Sequence, residues 1–194
     1  MKSKFTFCAG ILLFGLLVFV SCGKFKLIEV YGLTNDYDKI SQETKEKVFT
    51  FENMESAKHG YAYKITGEQL RKATQPYEKS LVHIIPGACY GDHCVSISSV
   101  ESYASENGYK LFLLDFSYIY LENLLKEVKA SPILIMNSEH YKKKKIRRFV
   151  PLFMADFLSE AVKDNPNIME HSFYFFEHGR LIAATDDLPG FNNP

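Results

Sequence analysis

An α/β domain with a mainly parallel, helix-covered central sheet and a C-terminal antiparallel hairpin is what this sequence predicts. Three observations carry that expectation. Apolar runs of strand length recur at 81–85, 109–116 and 133–136, and the stretches between them show helical periodicity. The chain then closes on two aromatic and aliphatic runs split by Glu177-His178-Gly179. Strands alternating with helices of roughly 10–15 residues pair in parallel, because only a helix-length crossover returns the chain in the same direction.

Each element has a local cause. Ser41 is placed to cap a short helix through Gln42-Glu43-Thr44-Lys45-Glu46-Lys47-Val48, and residues 61–65 alternate like an edge strand. Thr66 opens a capped helix that must stop before Pro76. The run 81–85 is short, β-branched and ended by Pro86-Gly87, so it reads as a buried strand with a loop at its C-terminal end. Val95, Ile97, Val100, Tyr103 and Ala104 make one helical face, stopped by Gly108. Leu121, Leu124, Leu125 and Val128 recur at i, i+3, i+4 and i+7, before Ser131-Pro132 ends that helix. Ile146, Phe149, Phe153, Phe157 and Ala161 mark a further helix in which Pro151 either makes a kink or marks the first turn. Gly179 supplies a positive-φ position for the final turn.

Twenty-three basic side chains balance 23 acidic ones, so no global field favours a polyanion, and no nucleic-acid partner is expected. The sequence contains no G-x-G-x-x-G, P-loop or internal repeat, and no cofactor or resident metal is expected. The N-terminus is more specific. Lys2 and Lys4 precede an apolar run from Phe5 to Val20, too short for a comfortable bilayer span and typical of a secretory signal. Its Val20-Ser21-Cys22 ending resembles a bacterial lipobox. That resemblance implies cleavage after residue 21, acylation of Cys22, and a mature protein tethered to the lipid bilayer of the bacterial cell envelope on its extracytoplasmic side. The expected organisation is a signal over 1–21, a tether and lead-in over 22–59, a folded domain over 60–187 and a tail over 188–194. Cys8 leaves with the signal, so Cys89 and Cys94 are the two remaining thiols, and outside the cytoplasm such a pair is either bonded or redox-active.

The strand-to-helix turn Ile85-Pro86-Gly87-Ala88-Cys89-Tyr90-Gly91-Asp92-His93-Cys94 and the hairpin over 172–182 resemble the thioredoxin-like fold. The nearest branch is the lipoprotein thiol-disulfide oxidoreductases and their peroxiredoxin-related cousins. The resemblance covers about residues 60–187 and implies a three-layer domain with Cys89 and Cys94 as catalytic thiols acting on a protein thiol or disulfide. A sulfur at a helix N-terminus is acidified by unpaired N–H groups and the helix dipole, and Cys94 is expected there. The chain departs from the family in three ways: Cys-x4-Cys replaces Cys-x2-Cys, His171 or Glu170 stands where a cis-proline is usual, and there is no tryptophan. Asp92, His93 and His171 are the near-site candidates.

Two further readings stay open. One is a redox-inactive thioredoxin-like binding module whose disulfide staples the loop, and the other is a copper-assembly protein using the two sulfurs with His93 or His171. Bland readings are preferred elsewhere: a solvated face for Lys142-Lys143-Lys144-Lys145-Ile146-Arg147-Arg148, with lipid headgroups as its alternative, a strand-end loop role for Asp115, with a buried proton acceptor near the cysteines as its alternative, and a sheet histidine for His83.

Overall fold

The computed structural model describes residues 34–85 and 95–189. Seven strands form one mixed sheet: β1 (Val48–Thr50), β2 (Ala62–Ile65), β3 (Lys79–Ile84), β4 (Lys110–Asp115), β5 (Ile133–Met136), β6 (Phe173–Glu177) and β7 (Arg180–Thr185). Their order is β1-β2-β5-β4-β3-β6-β7. The five strands from β1 to β3 in that order are mutually parallel, and the β6–β7 hairpin is antiparallel to β3 and within itself.

The reason for near-continuous apolar strands is visible in the packing. Alternate residues of β4 enter opposite cores, Leu111 and Leu113 on one face and Phe112 and Leu114 on the other. Because both faces are buried, the pattern within the strand is not apolar–polar but apolar throughout. The first face is covered by α3 (Ile97–Glu106) through Ile97, Val100 and Ala104, and by α4 (Leu121–Glu127) through Leu121 and Leu124. The second is covered by α2 (Gly67–Thr74) through Leu70, and by α5 (Ile146–Leu158) through Phe149, Phe153 and Phe157. A four-residue α1 (Gln42–Lys45) and a short α6 (Glu160–Asp164) complete the helices described. Ser41 caps α1 by accepting from the Thr44 N–H. Thr66 and Gln69 form a reciprocal capping box on α2, and Ser96 caps α3.

Several expectations are corrected. Residues 61–65 are not an edge: β2 lies between β1 and β5. β1 itself, with Phe51 and Met54 buried just after it, falls in the stretch read as lead-in. The sheet is extended by partners that are distant in sequence, which a local pattern does not reveal. Pro151 lies in the sixth position of α5, not its first turn, where its missing N–H leaves the Arg147 carbonyl on an exposed side of the helix. The final turn has His178 at φ 47° and Gly179 at φ 72°, and a Cβ on Gly179 would meet Gln75 Cγ at 2.6 Å. Glycine is therefore needed there for both conformation and space.

α2 and α5 pack backbone to backbone at Gly67. A Cβ at this position would collide with the Phe153 carbonyl and come within 2.8 Å of the Phe157 nitrogen, both of them backbone atoms. The Gly67 N–H donates to Tyr141 Oη (3.0 Å), which in turn donates to Asp156 Oδ2 (2.9 Å) on α5. Alanine would gain about 1 kcal/mol of helix propensity, but separating two packed helices costs more. Gly67→Ala is expected to destabilise the fold by about 1–3 kcal/mol in urea denaturation; an unchanged or raised midpoint would contradict this contact.

Candidate functional site

The parallel strands all present their C-terminal ends along one edge of the sheet, and this edge collects five of the buried polar residues: Asp36, His83, Asp115, Ser117 and Ser138. The chain leaves β3 and β4 for helices on the first face, but leaves β5 and β2 for helices on the second. The change of face falls between β4 and β5, a topological switch point of the kind that opens a crevice in α/β sheets. Here the chain itself fills that crevice. The Tyr118 N–H donates to the Asn35 carbonyl (2.8 Å), and Asn35 Nδ2 donates to Ser138 Oγ (2.6 Å). Asp36, left-handed at φ 58° and buried, accepts from Thr34 Oγ1 (2.7 Å) and pairs with Lys39 Nζ (3.1 Å). Tyr37 then packs edge-on against Tyr118, with ring centroids 5.0 Å apart.

Beside the filled crevice, Asp115 ends β4 on the same face as α3. Its Oδ1 accepts from the Ser117 N–H (3.1 Å), whereas Oδ2 is buried and has no hydrogen-bond partner among the described residues. Burial pushes its pKa up to about 7, outweighing the opposing hydrogen bonds from the Ser117 and Phe116 amides. His83, two residues before Ile85 on β3, sits on that face too. Its Nδ1 lies 3.2 Å from the Ser172 carbonyl and must carry the proton, since a carbonyl can only accept. Its ring stacks on Phe173 at 4.3 Å, and burial pulls its pKa down to about 4. The sheet role expected for His83 is the one observed.

The near-site candidate His171 lies in the run before β6. Its Nδ1 is 3.2 Å from Asp186 Oδ2, and the next residue, Ser172, donates its N–H to Asp186 Oδ1 (3.1 Å). The Ser172 carbonyl accepts from the Ile84 N–H (2.8 Å), so residues 171–172 are fastened beside the C-terminal end of β3. Cys22, Cys89, Asp92, His93 and Cys94 lie outside the described residues. What is described is their frame: residues 86–94 join the end of β3 to α3, which begins at Ile97 after its Ser96 cap. Cys94 is thus two residues upstream of the cap, and the Ser96 hydroxyl already accepts from the Ser99 N–H.

Among the described residues there is no group of three or more His, Cys, Asp or Glu side chains able to hold a metal ion, and no helix long and apolar enough to cross a membrane. A mainly apolar hollow of about 250 Å³ between Phe51, Met54, Ala73 and Tyr77 contains none of the predicted site residues. The strap at Asn35–Asp36 and the switch point it fills were not legible beforehand. Asp36, Ser117 and Ser138 have no local pattern that marks them as buried, whereas Asp115, an acid closing an apolar run, and His83, inside one, are visible in the sequence. Comparison of the chain with protein-family profiles, with curated proteins and with solved structures found no match.

Asp115 and His83 respond to pH in opposite directions. Asp115 holds its proton longer folded than unfolded, so its contribution to stability is lost as pH rises from about 4 to about 7. His83 resists protonation when folded, so its contribution is lost as pH falls from about 6.5 to about 4. Asp115→Asn should remove the first effect and make stability rise more steeply with pH over this window than in the wild type. His83→Phe should do the reverse, the Ser172 carbonyl keeping its bond from Ile84. Urea midpoints across pH 4–7 test both; variant profiles parallel to wild type would contradict the two assignments.

Proposed function

We propose that this chain is a membrane-tethered, extracytoplasmic thioredoxin-like protein that exchanges a disulfide through Cys89 and Cys94 at the C-terminal end of β3. One observation carries the reading. The strand leading into the cysteine segment has a parallel neighbour, β4, on one side and an antiparallel hairpin on the other, and the residues preceding that hairpin are bonded beside its end. This is the arrangement implied by the resemblance of residues 85–94 and 172–182 to the thioredoxin-like fold. β5, inserted between β4 and β2, is an elaboration on it.

In the proposed reaction, one cysteine thiolate attacks a substrate disulfide, a mixed disulfide forms, and the substrate's departing thiolate takes up a proton. The second cysteine then attacks the mixed disulfide, releasing the second substrate thiol and leaving Cys89–Cys94 oxidised. Two electrons pass from the protein to the substrate, and the reverse sequence oxidises a dithiol. Asp115, on the face that α3 covers, is the proposed acceptor of the proton that the reacting thiol sheds. A second reading has a specific support: α3 starts beyond Cys94 and its cap is already served by Ser96, which favours a stapling disulfide over a dipole-activated thiol.

Equilibration in defined thiol/disulfide buffers, with trapping of free thiols, separates the two. A midpoint between about −270 and −120 mV is expected for exchange, whereas a bond that resists reduction below about −300 mV until the protein unfolds would make it a staple. For the tether, Cys22→Ala is expected to abolish acylation and leave the protein unprocessed, as intact mass will show. A cleaved Cys22→Ala product still held in the membrane would contradict it.

A further inference from the structure

Six cations stand together where the chain passes from β5 to α5. Lys142, Lys143, Lys144, Lys145, Arg147 and Arg148 are all exposed, and no ion pair to any of them is formed among the described residues. The nearest acid in sequence, Glu139, is taken by Lys64 at 3.2 Å. α5 has no acidic residue in its first turn, so the cations crowd the positive end of a helix macrodipole, where folding alone would select the opposite charge. Further along the same helix, four residues from Arg148, Leu152 is a large apolar side chain left 44% exposed. Cations flanking an exposed apolar side chain are the composition of a surface that rests on a bilayer interface.

The position of this patch says which surface it meets. Thr34, the first residue described, forms an antiparallel bridge with Lys145, in the middle of the basic run. Residue 34, where the described chain begins, therefore lies beside the patch. Thr34 follows Cys22 by twelve positions, a stretch that can reach at most about 40 Å. An acyl anchor on Cys22 would hold this side of the domain nearest the membrane.

We propose that Lys142–Lys145, Arg147 and Arg148, with Leu152, form a docking surface for anionic lipid headgroups of the membrane to which Cys22 is anchored. The inference rests on the tether reading above. Since the basic run follows β5 at the C-terminal edge of the sheet, docking turns that edge toward the bilayer. It would direct the cysteine chemistry to partners at the membrane surface.

The test uses the processed, anchored protein purified from membranes and reconstituted into vesicles of phosphatidylcholine, or of phosphatidylcholine mixed with phosphatidylglycerol. Flotation reports the anchor, and acetylation rates at individual lysines, read by mass spectrometry, report the patch. Flotation with both vesicles is expected, with Lys142–Lys145 modified about tenfold more slowly on the anionic ones. Raised salt should abolish that protection, and Arg147→Gln/Arg148→Gln should weaken it severalfold. Lys163, beyond the far end of α5 and about 20 Å away along the helix, should react equally on both vesicles. Flotation with both but equal modification would overturn the docking surface and leave the anchor standing. Flotation with neither would overturn both. Salt-released flotation on anionic vesicles alone would support the patch and overturn the anchor. Protection by added duplex DNA, but not by phosphatidylglycerol, would reassign the surface to nucleic acid.

Discussion

Burial of the sheet on both faces is the constraint from which the rest of this structure follows. A parallel strand cannot pair with its successor through a tight turn, so the connections leaving β2, β3 and β4 each deposit a helix on one face or the other, while β1 reaches its parallel neighbour β2 through residues 51–61 without one. Crossover connections in parallel sheets share one hand, so a chain stepping from β3 to β4 to β5 covers one face. To cover the second face, the chain must cross the sheet in the opposite direction. It does so twice, from β2 to β3 through α2 and from β5 to β6 through α5. These two helices meet at Gly67, where the absence of a Cβ lets their backbones approach.

The same requirement creates the polar edge. Between β4 and β5 the outgoing connections diverge, and the gap is closed by Asn35 and Asp36 rather than left open. Closing it buries polar groups that need partners. Most have one, from Asn35 to Ser138 and from Thr34 to Asp36. Asp115 Oδ2 has none among the described residues, and the carboxyl responds by holding its proton to about pH 7. A carboxyl that titrates near neutrality, next to the strand leading into a cysteine pair, is suited to proton transfer.

Locally coded elements were legible in the sequence. Ser41 and Thr66 mark two helix starts, Leu121, Leu124, Leu125 and Val128 mark α4, and Gly179 marks the hairpin turn, because each acts within a few residues, whereas the start of α3 falls at Ser96 and not beside Cys94. β1 was missed because three residues with one exposed phenylalanine carry no period, and it exists only because β2 pairs with it. The interior position of β2 was missed for the same reason, since its second partner, β5, is encoded some seventy residues later. At the site, the pairing of His83 with the backbone before β6 matched its expected role, while the burial of Asp115 arises in tertiary packing on the face of the sheet that α3 and α4 cover. A strand-end aspartate reads the same in sequence whether it faces solvent or a core.

The proposed exchange requires the buried carboxyl of Asp115 and the cysteine pair to share one reaction centre at the end of β3. The pH dependence of thiol alkylation, measured on the reduced protein and on Asp115→Asn with each cysteine resolved by mass spectrometry, addresses it directly. If the claim holds, removing the neighbouring negative charge lowers the apparent thiol pKa of at least one of Cys89 and Cys94 and removes an inflection near pH 7 from its profile. Superimposable profiles for both cysteines in the two proteins would contradict it.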